Sequence, residues 1–247
     1  MITAEKYVTD LAHGVFGHAA LRNDFYRLWM GRALDFNDVA VFARNYLART
    51  VNTSTMVALS FLSTDDVRAK TEIAKNLFSE FGYGNPDKAH ISLLRGFLTA
   101  LLSRLRGAQF DLAMLERTAL LPSTVQFIAR QRELYTRPDA ASVLGTLLAQ
   151  EWLAYSMLTR LYEGARNYMP LFRDLDEFHE HCEYFYVHIG DAEKEHKEQA
   201  IRAAAIACAD PAARERLRDG FNGFLEITAE YWAGIHDEIA GRRAQAA

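Results

Sequence analysis

Residues 184–196 read YFYVHIGDAEKEH and contain two histidines and three acidic residues within nine positions. Tyr184 and the phenylalanine after it precede His188 by four and three residues, which places aromatic rings and the imidazole on one helix face. Glu193 and His196 are three residues apart, the spacing at which two side chains on one helix face bind a single metal ion. The stretch therefore predicts a helix that carries half of a metal site.

The spacing of apolar residues along the rest of the chain is also that of helices. The chain has 247 residues with only five prolines, and between the prolines the apolar positions recur every three or four residues with almost no alternation. Capping and helix-breaking residues predict helices up to 13 and over 24–31, 36–62, 65–81, 88–106, 109–119, 123–136, 138–164, 174 to beyond 196, and 211–240. Since there is no repeat and no linker, we predict an all-α fold in a single domain, residues 1–247.

Composition limits the classes of function. Half of the residues are hydrophobic and 24% are charged, as in a globular protein with a sizeable core. The net charge is −4 with acids and bases interspersed, which argues against a nucleic-acid partner. Two cysteines are too few for a disulfide framework, no apolar run approaches the ~20 residues of a membrane span, and the N-terminus lacks the apolar core of a signal peptide. We therefore expect a soluble, cytoplasmic protein without a membrane partner.

Isolated acidic residues continue the apolar faces of two further predicted helices. Glu80 follows apolar residues seven and three positions earlier, and a buried carboxylate there is costly unless a cation compensates it. His90 comes ten residues later, near the start of the next helix. Glu151 has leucines three and four residues before it and a tyrosine four residues after it, so it lies in the middle of a core-facing stripe.

These residues and the first stretch together supply three carboxylates and three imidazoles from four predicted helices. The candidate metal ligands are Glu80, His90, Glu151, His188, Glu193 and His196. Taken singly, a histidine in an apolar face is usually a hydrogen-bonded core residue, and a buried glutamate usually pairs with an arginine. The joint pattern favours a metal site, because mixed oxygen and nitrogen ligands in a helical core suit a pair of iron or manganese ions.

Three of these stretches resemble the heme-oxygenase-like diiron oxidases and oxygenases, which include the CADD-like iron-containing redox enzymes. That family shares its helical fold with heme oxygenase, TenA thiaminases and PQQ-synthesis protein C. Residues 76–86 (NLFSEFGYGNP) followed by His90 are similar to its Glu-then-His motif, residues 147–151 (LLAQE) to its central helix, and residues 188–196 to its last helix. The resemblance covers most of the chain and implies a single-domain, heme-oxygenase-like helical bundle.

The last motif departs from the family pattern by one residue. The family usually has an acid four residues after the first histidine, and here that position is Ala192. Glu193 keeps the three-residue step to His196, and a π-bulge near Gly190 would restore the phase of the helix. In a regular helix Asp191 would be the third acid instead. We favour the bulge and Glu193, and we expect the second metal ion to be the more weakly bound.

The resemblance implies a non-heme diiron enzyme that uses two Fe(II) ions per chain, with manganese as an alternative, to activate O₂ and oxidise a small metabolite. Implied substrates are amino-acid-like or fatty-acid-like, and implied outcomes are N-oxygenation, desaturation or C–C cleavage. An external reductant and a homodimer are compatible with it. We predict no catalytic residue beyond the metal ligands. Arg44 and Arg49 lie on a long core helix and could hold a substrate carboxylate, although ion pairing is the interpretation that we favour.

Three alternatives stay open at this point. A metal-independent enzyme similar to TenA hydrolases or PQQ-synthesis protein C would share the fold, but the TenA reaction needs a nucleophilic cysteine, and neither Cys182 nor Cys208 is well placed. Heme binding would need a proximal histidine such as His13 or His18. A non-catalytic helical interaction module would take up no Fe(II).

Overall fold

Helices dominate the part of the chain that this computed structural model describes, residues 3–246; the side chains of residues 191–194 and 246 lie outside the description. The α-helices, in chain order, are α1 Ala4–Ala12, α2 Asp24–Gly31, α3 Phe36–Thr50, α4 Thr53–Leu62, α5 Val67–Glu80, α6 His90–Arg106, α7 Ala113–Glu116, α8 Pro122–Tyr135, α9 Ala140–Ala165, α10 Leu175–His181, α11 Glu183–Ile189, α12 Asp191–Ala207 and α13 Pro211–Ala246. Short 3₁₀ helices occur at His13–Gly17, Gly82–Gly84, Pro86–Lys88 and Arg166–Leu171. No strand occurs within residues 3–246, so the all-α prediction is confirmed. In the same residues, no helix is both long and apolar enough to cross a lipid bilayer.

Acidic capping residues fix the starts of several helices. The carboxylates of Asp35, Asp66, Asp139 and Asp174 each accept a hydrogen bond from a backbone amide two or three residues later, at the starts of α3, α5, α9 and α10. Such bonds satisfy amides that have no partner within the helix, which is why these starts could be predicted from the sequence.

Two predicted helices are shorter than expected. The predicted helix 36–62 is interrupted at residues 51–52, within a run of threonine, asparagine and serine whose side chains compete for backbone hydrogen bonds. In the predicted helix 109–119, only the four residues of α7 are α-helical. The Asp111 carboxylate bonds the amide of Ala113 at its start, and the Thr118 hydroxyl bonds the carbonyl of Leu115 near its end, so local side-chain bonds close this segment on both sides.

The helix predicted to run from residue 174 past His196 is three helices, α10, α11 and α12. Gly190 separates the last two and adopts an extended conformation, φ −87° and ψ −164°. The predicted π-bulge near this glycine is therefore wrong, because the helix stops there and a new one begins at the next residue. The bulge was predicted in order to turn both histidines toward the interior. The break has the same effect, since His188 and His196 are both buried.

Helix α9 passes through the centre of the protein and contacts α2, α11, α12 and α13. It crosses α13 at backbone contact, since a Cβ atom on Gly145 would lie 2.0 Å from the carbonyl oxygen of Leu217. The hydroxyl of Thr146 also lies 3.3 Å from the carbonyl oxygen of Gly220, across the same crossing. This close approach fixes the position of the helix that carries Glu151.

We predict that Gly145→Ala destabilises the protein by about 1–3 kcal/mol, because the added methyl group forces the backbones of α9 and α13 apart. Gly96→Ala is the control, since Gly96 lies within α6 and its added Cβ would meet no atom within 4 Å. That change should stabilise the protein by up to about 1 kcal/mol through helix propensity. Urea unfolding of both variants measures the difference, and equal stabilities would contradict the close crossing.

Candidate metal centre

Three of the predicted ligands form a compact cluster between α5, α6 and α11. One potential ligand atom from each of Glu80, His90 and His188 lies within 4.8 Å of the other two. The Glu80 Oε1 and His90 Nδ1 atoms are 3.4 Å apart, and the imidazole centroids of His90 and His188 are 4.2 Å apart. Donor atoms this close can face a single ion.

A tight turn brings Glu80 and His90 together. Helix α5 ends at Glu80 and α6 begins at His90, and Gly82 in the connection has φ +63°. A Cβ atom on Gly82 would lie 2.4 Å from the carbonyl carbon of Lys88, so only glycine fits both the conformation and the contact. The chain between the two ligands therefore reverses direction, which brings their side chains together although they are ten residues apart in the sequence.

Backbone contact and burial prepare His188 as a neutral ligand. Its Nδ1 lies 2.7 Å from the carbonyl oxygen of Tyr184, so Nδ1–H donates to that oxygen and Nε2 keeps a free lone pair. Burial, with the neighbouring His90 imidazole, lowers the pKa of His188 to about 3. The tyrosine ring also packs on the imidazole, with 4.9 Å between the centroids.

Glu151 and His196 form a second pair on α9 and α12. The Nδ1 atom of His196 lies 3.9 Å from Oε2 of Glu151, and both residues are buried. The amide of Gln150 donates a 3.1 Å hydrogen bond to Oε1 of Glu151, and Tyr135 donates a 2.8 Å bond to the oxygen of Gln150. This network orients the Glu151 carboxylate in the way that outer-shell partners orient metal ligands.

The cluster and the pair line one cavity of about 290 Å³. Burial raises the pKa of Glu80, but the adjacent His90 imidazole, through its charge and a weak hydrogen bond, outweighs burial and holds the pKa below its ordinary value. The carboxylate is therefore ionised at neutral pH. Glu193 and its alternative Asp191 have side chains outside the described part of the structure, so their assignment stays a prediction.

The donor set fits iron. The buried Nδ1 atom of His90 makes no well-formed hydrogen bond and faces only Oε1 of Glu80, at 3.4 Å, so a metal ion between the two atoms would satisfy both. Carboxylate oxygens and neutral imidazole nitrogens together suit iron and manganese. Glu80, His90 and His188 would hold one ion, and Glu151 and His196 would supply ligands to a second.

Some polar groups of the cavity were not expected from the sequence. Gln150 was missed as the partner of Glu151, although a glutamine inside the run LLAQE is itself an isolated polar residue in an apolar stripe. Ion pairing, the interpretation favoured for two arginines of α3, is not found for either of them among the described side chains. The Nε of Arg44 donates to the carbonyl oxygen of Thr118, and the Nε of Arg49 is buried in the cavity wall without a partner.

The residues needed by two alternatives lie away from the cavity. Cys182 and Cys208 are buried, neither lines the cavity, and burial raises the pKa of the Cys182 thiol to about 12. A thiol with so high a pKa is a poor nucleophile at neutral pH. His13 is exposed, and the Nδ1 of His18 accepts a hydrogen bond from a backbone amide. Neither histidine faces the cluster of candidate ligands.

The all-helical fold and the buried cluster of carboxylates and histidines together define a helical protein with a carboxylate–histidine metal centre. The model of the family described as iron-containing redox enzymes matches residues 40–231. The chain belongs to this family, as the resemblance in its sequence implied. A relative in Streptantibioticus cattleyicolor is 4-chloro-allylglycine synthase, which is 25% identical over 242 residues that cover 95% of this chain and 84% of the relative.

Solved structures show the same fold. A CADD-like protein of unknown function from Nostoc punctiforme superposes with a TM-score of 0.72 at 16% identity, covering 95% of this chain and 97% of the other. A TenA homologue from Pseudomonas syringae pv. tomato gives 0.73 at 10% identity, with 95% of both chains covered. A domain of unknown function with a heme oxygenase-like fold from Shewanella denitrificans gives 0.64 at 15% identity, covering 99% and 94%. The fold is therefore a single heme-oxygenase-like helical domain, as predicted.

We predict that the metal-free protein loses stability as the pH falls from 6.5 toward 3, and that His188→Gln removes part of this dependence. In that range the unfolded chain protonates His188 while the folded chain keeps it neutral. The free energy of unfolding therefore rises with pH, by at most about 1.4 kcal/mol per pH unit from this residue. Urea unfolding in the presence of EDTA at several pH values measures the slope, and an identical slope in the variant would contradict the buried, neutral imidazole.

Proposed function

We propose that the protein is a non-heme diiron oxidase or oxygenase that uses O₂ to oxidise a small metabolite. The observation that carries the proposal is the cluster of Glu80, His90 and His188, which faces the same cavity as Glu151 and His196. Membership in a family of iron-containing redox enzymes supports iron as the metal. The two groups of donors, each with a carboxylate and at least one imidazole, support two ions rather than one.

The chain's own residues hold and orient the reacting groups. When bound, Fe(II) supplies electrons and open coordination positions for O₂. The Tyr184 carbonyl holds the His188 ring in one orientation, and the Gln150 amide does the same for the Glu151 carboxylate. Apolar cavity residues such as Met157 and Leu158 keep water away from the site. An external reductant would restore Fe(II) between turnovers.

The substrate proposed is amino-acid-like or fatty-acid-like. The relative named 4-chloro-allylglycine synthase supports the amino-acid-like class, because its name describes the formation of an amino acid. A cavity of about 290 Å³ is at the small end of ligand sites in proteins, which also favours a small metabolite. N-oxygenation, desaturation and C–C cleavage are the outcomes proposed.

We predict that Glu151→Ala abolishes binding of the pair of irons while the helical fold survives. Titration with Fe(II) without oxygen, followed by iron analysis, should give about two irons per chain in the wild type and no more than about one in the variant, because Glu151 supplies a ligand to the second ion. Glu163→Ala is the matched control, since Glu163 lies on the same helix but its side chain is 47% exposed. The loaded wild type and control should then consume O₂, and the Glu151 variant should not. Unchanged iron affinity in the Glu151 variant would show that Glu151 has a structural role only, and it would contradict the proposal.

We also propose that the site served by α12 is the weaker one and fills only with excess Fe(II) or with substrate bound. Its third ligand would come from the start of α12, directly after the break at Gly190, and a ligand that must be ordered on binding lowers affinity. Position 193 lies one helical turn before His196, whereas position 191 is five residues before it and off that face. Glu193 is therefore the acid that we favour.

Separate Asp191→Ala and Glu193→Ala variants decide between the two acids. Glu193→Ala should lose the second, weaker iron, and Asp191→Ala should keep it, in titrations with Fe(II) under argon. Each variant serves as the control for the other, because both remove one acid from the first turn of α12. Loss of the second iron in Asp191→Ala alone would show that the ligand assignment is mistaken.

A further inference from the structure

A buried arginine in the cavity wall is not used by the candidate metal ligands. Arg49 lies near the C-terminal end of α3, lines the cavity and is only 7% exposed. Its Nε atom has no hydrogen-bond partner, and the ion pairs among the described side chains do not include this residue. A buried guanidinium without a hydrogen-bonded anion is costly, and the carboxylates of Glu80 and Glu151 in the same cavity are the groups that metal ions would use, so an anionic ligand would stabilise this side chain.

Aromatic rings hold this guanidinium in place without using its N–H donors. Its Cζ atom lies 5.0 Å from the ring centroid of Phe127, 5.5 Å from that of Tyr231 and 5.9 Å from that of Tyr46. Cation–π contacts of this kind stabilise the charge through the ring faces. The N–H groups of Arg49 are therefore left for a ligand.

A neutral amide in the same wall also makes no bond to the other described side chains. Gln131 lies on α8 one helical turn after Phe127, lines the cavity and is 3% exposed. Its side chain makes no hydrogen bond to another residue of the described chain. Two buried polar side chains, one cationic and one an amide donor, thus line one cavity, and neither is bonded to another of the described side chains.

We propose that Arg49 and Gln131 bind the carboxylate of the substrate, so that the oxidised metabolite is a small carboxylic acid anchored by protein groups rather than by the metal. The guanidinium presents parallel N–H donors that match the two oxygens of a carboxylate, and the amide NH₂ supplies a further donor. The claim that the bound carboxylate belongs to the substrate rests on the proposed oxidase function. The claim that Arg49 and Gln131 bind a carboxylate does not depend on that function.

Ring contacts connect the arginine to the candidate metal ligands. Tyr46 packs beside Arg49, its hydroxyl lies 2.7 Å from that of Tyr184, and Tyr184 packs on His188. A carboxylate held at Arg49 leaves the rest of the molecule to extend along this wall toward the cluster. Bound metal would also neutralise the carboxylates of the cavity, which leaves Arg49 as uncompensated positive charge. Anion binding and metal binding therefore favour each other.

Binding of simple carboxylates tests the proposal without knowledge of the natural substrate. The probes are hexanoate and L-norleucine, with hexanamide as a neutral match and inorganic phosphate as a different anion. Calorimetry on the Fe(II)-loaded protein under argon compares the wild type with Arg49→Gln, Arg49→Lys and Gln131→Leu. Arg44→Gln is the matched control, because it removes the same charge from the same helix but Arg44 does not line the cavity.

Arg49→Gln should weaken the better carboxylate probe roughly 10- to 100-fold, the loss typical of a hydrogen bond to a charged group. Arg49→Lys should recover part of this affinity, Arg44→Gln should match the wild type, and hexanamide should bind at least about 10-fold more weakly than hexanoate. The metal-free protein should bind the probe more weakly than the loaded protein. Iron content measured in every variant shows whether the site survives the substitution.

The proposal is overturned if neither carboxylate binds the wild type, if Arg49→Gln leaves the affinity unchanged, or if phosphate binds more tightly than both carboxylates. Normal iron uptake without carboxylate binding would remove this inference and leave the proposed function intact. Carboxylate binding that depends on Arg49, in a protein that takes up no iron, would leave the anion site standing and remove the oxidase.

Discussion

The burial of ionisable groups in an apolar core is the constraint on which the rest of the structure depends. Glu80 and Glu151 lie among three imidazoles in the interior, where each charge loses the solvation that water would provide. The imidazole of His188 responds by staying neutral, since burial lowers its pKa. A cation bound between these groups would compensate the carboxylates and use the lone pairs of the histidines, and this is the physical reason for reading the cavity as a metal centre.

The donors reach the cavity where regular helices stop. Glu80 ends α5 and His90 begins α6, and the turn between them depends on the positive φ of Gly82. His188 is at the end of α11, just before the break at Gly190. Two donors lie within helices: His196 is five residues after the start of α12, and Glu151 is in the middle of α9, whose close crossing with α13 holds it in place. One rigid helix and several helix ends together build the site.

The sequence predicts the parts of this arrangement that local chemistry controls. Asp35, Asp66, Asp139 and Asp174 are helix caps whose effect is contained within three residues, and the helix starts they predict are found in the structure. Glu151 stands out because it interrupts an apolar stripe, and it is indeed buried. In both cases the neighbouring residues of a single helix are sufficient to predict where the residue lies.

The remaining features depend on contacts between distant parts of the chain. The sequence does not distinguish a helix break at Gly190 from a π-bulge, because either one turns His188 and His196 toward the same side. Only tertiary packing determines whether the break or the bulge forms. The lack of an ion pair at Arg49 is likewise a property of α8 and α13, whose Phe127 and Tyr231 surround it. Acidic residues are abundant in the sequence, and nothing local shows which of the described carboxylates lie too far from this guanidinium to pair with it.

Crystallography of the protein loaded with Fe(II) under argon, with anomalous data on both sides of the iron absorption edge, tests the central claim most directly. We expect two iron peaks in the cavity, one in contact with Glu80, His90 and His188 and the other in contact with Glu151 and His196. Iron bound only outside the cavity, or no iron peak at all after saturation, would contradict it.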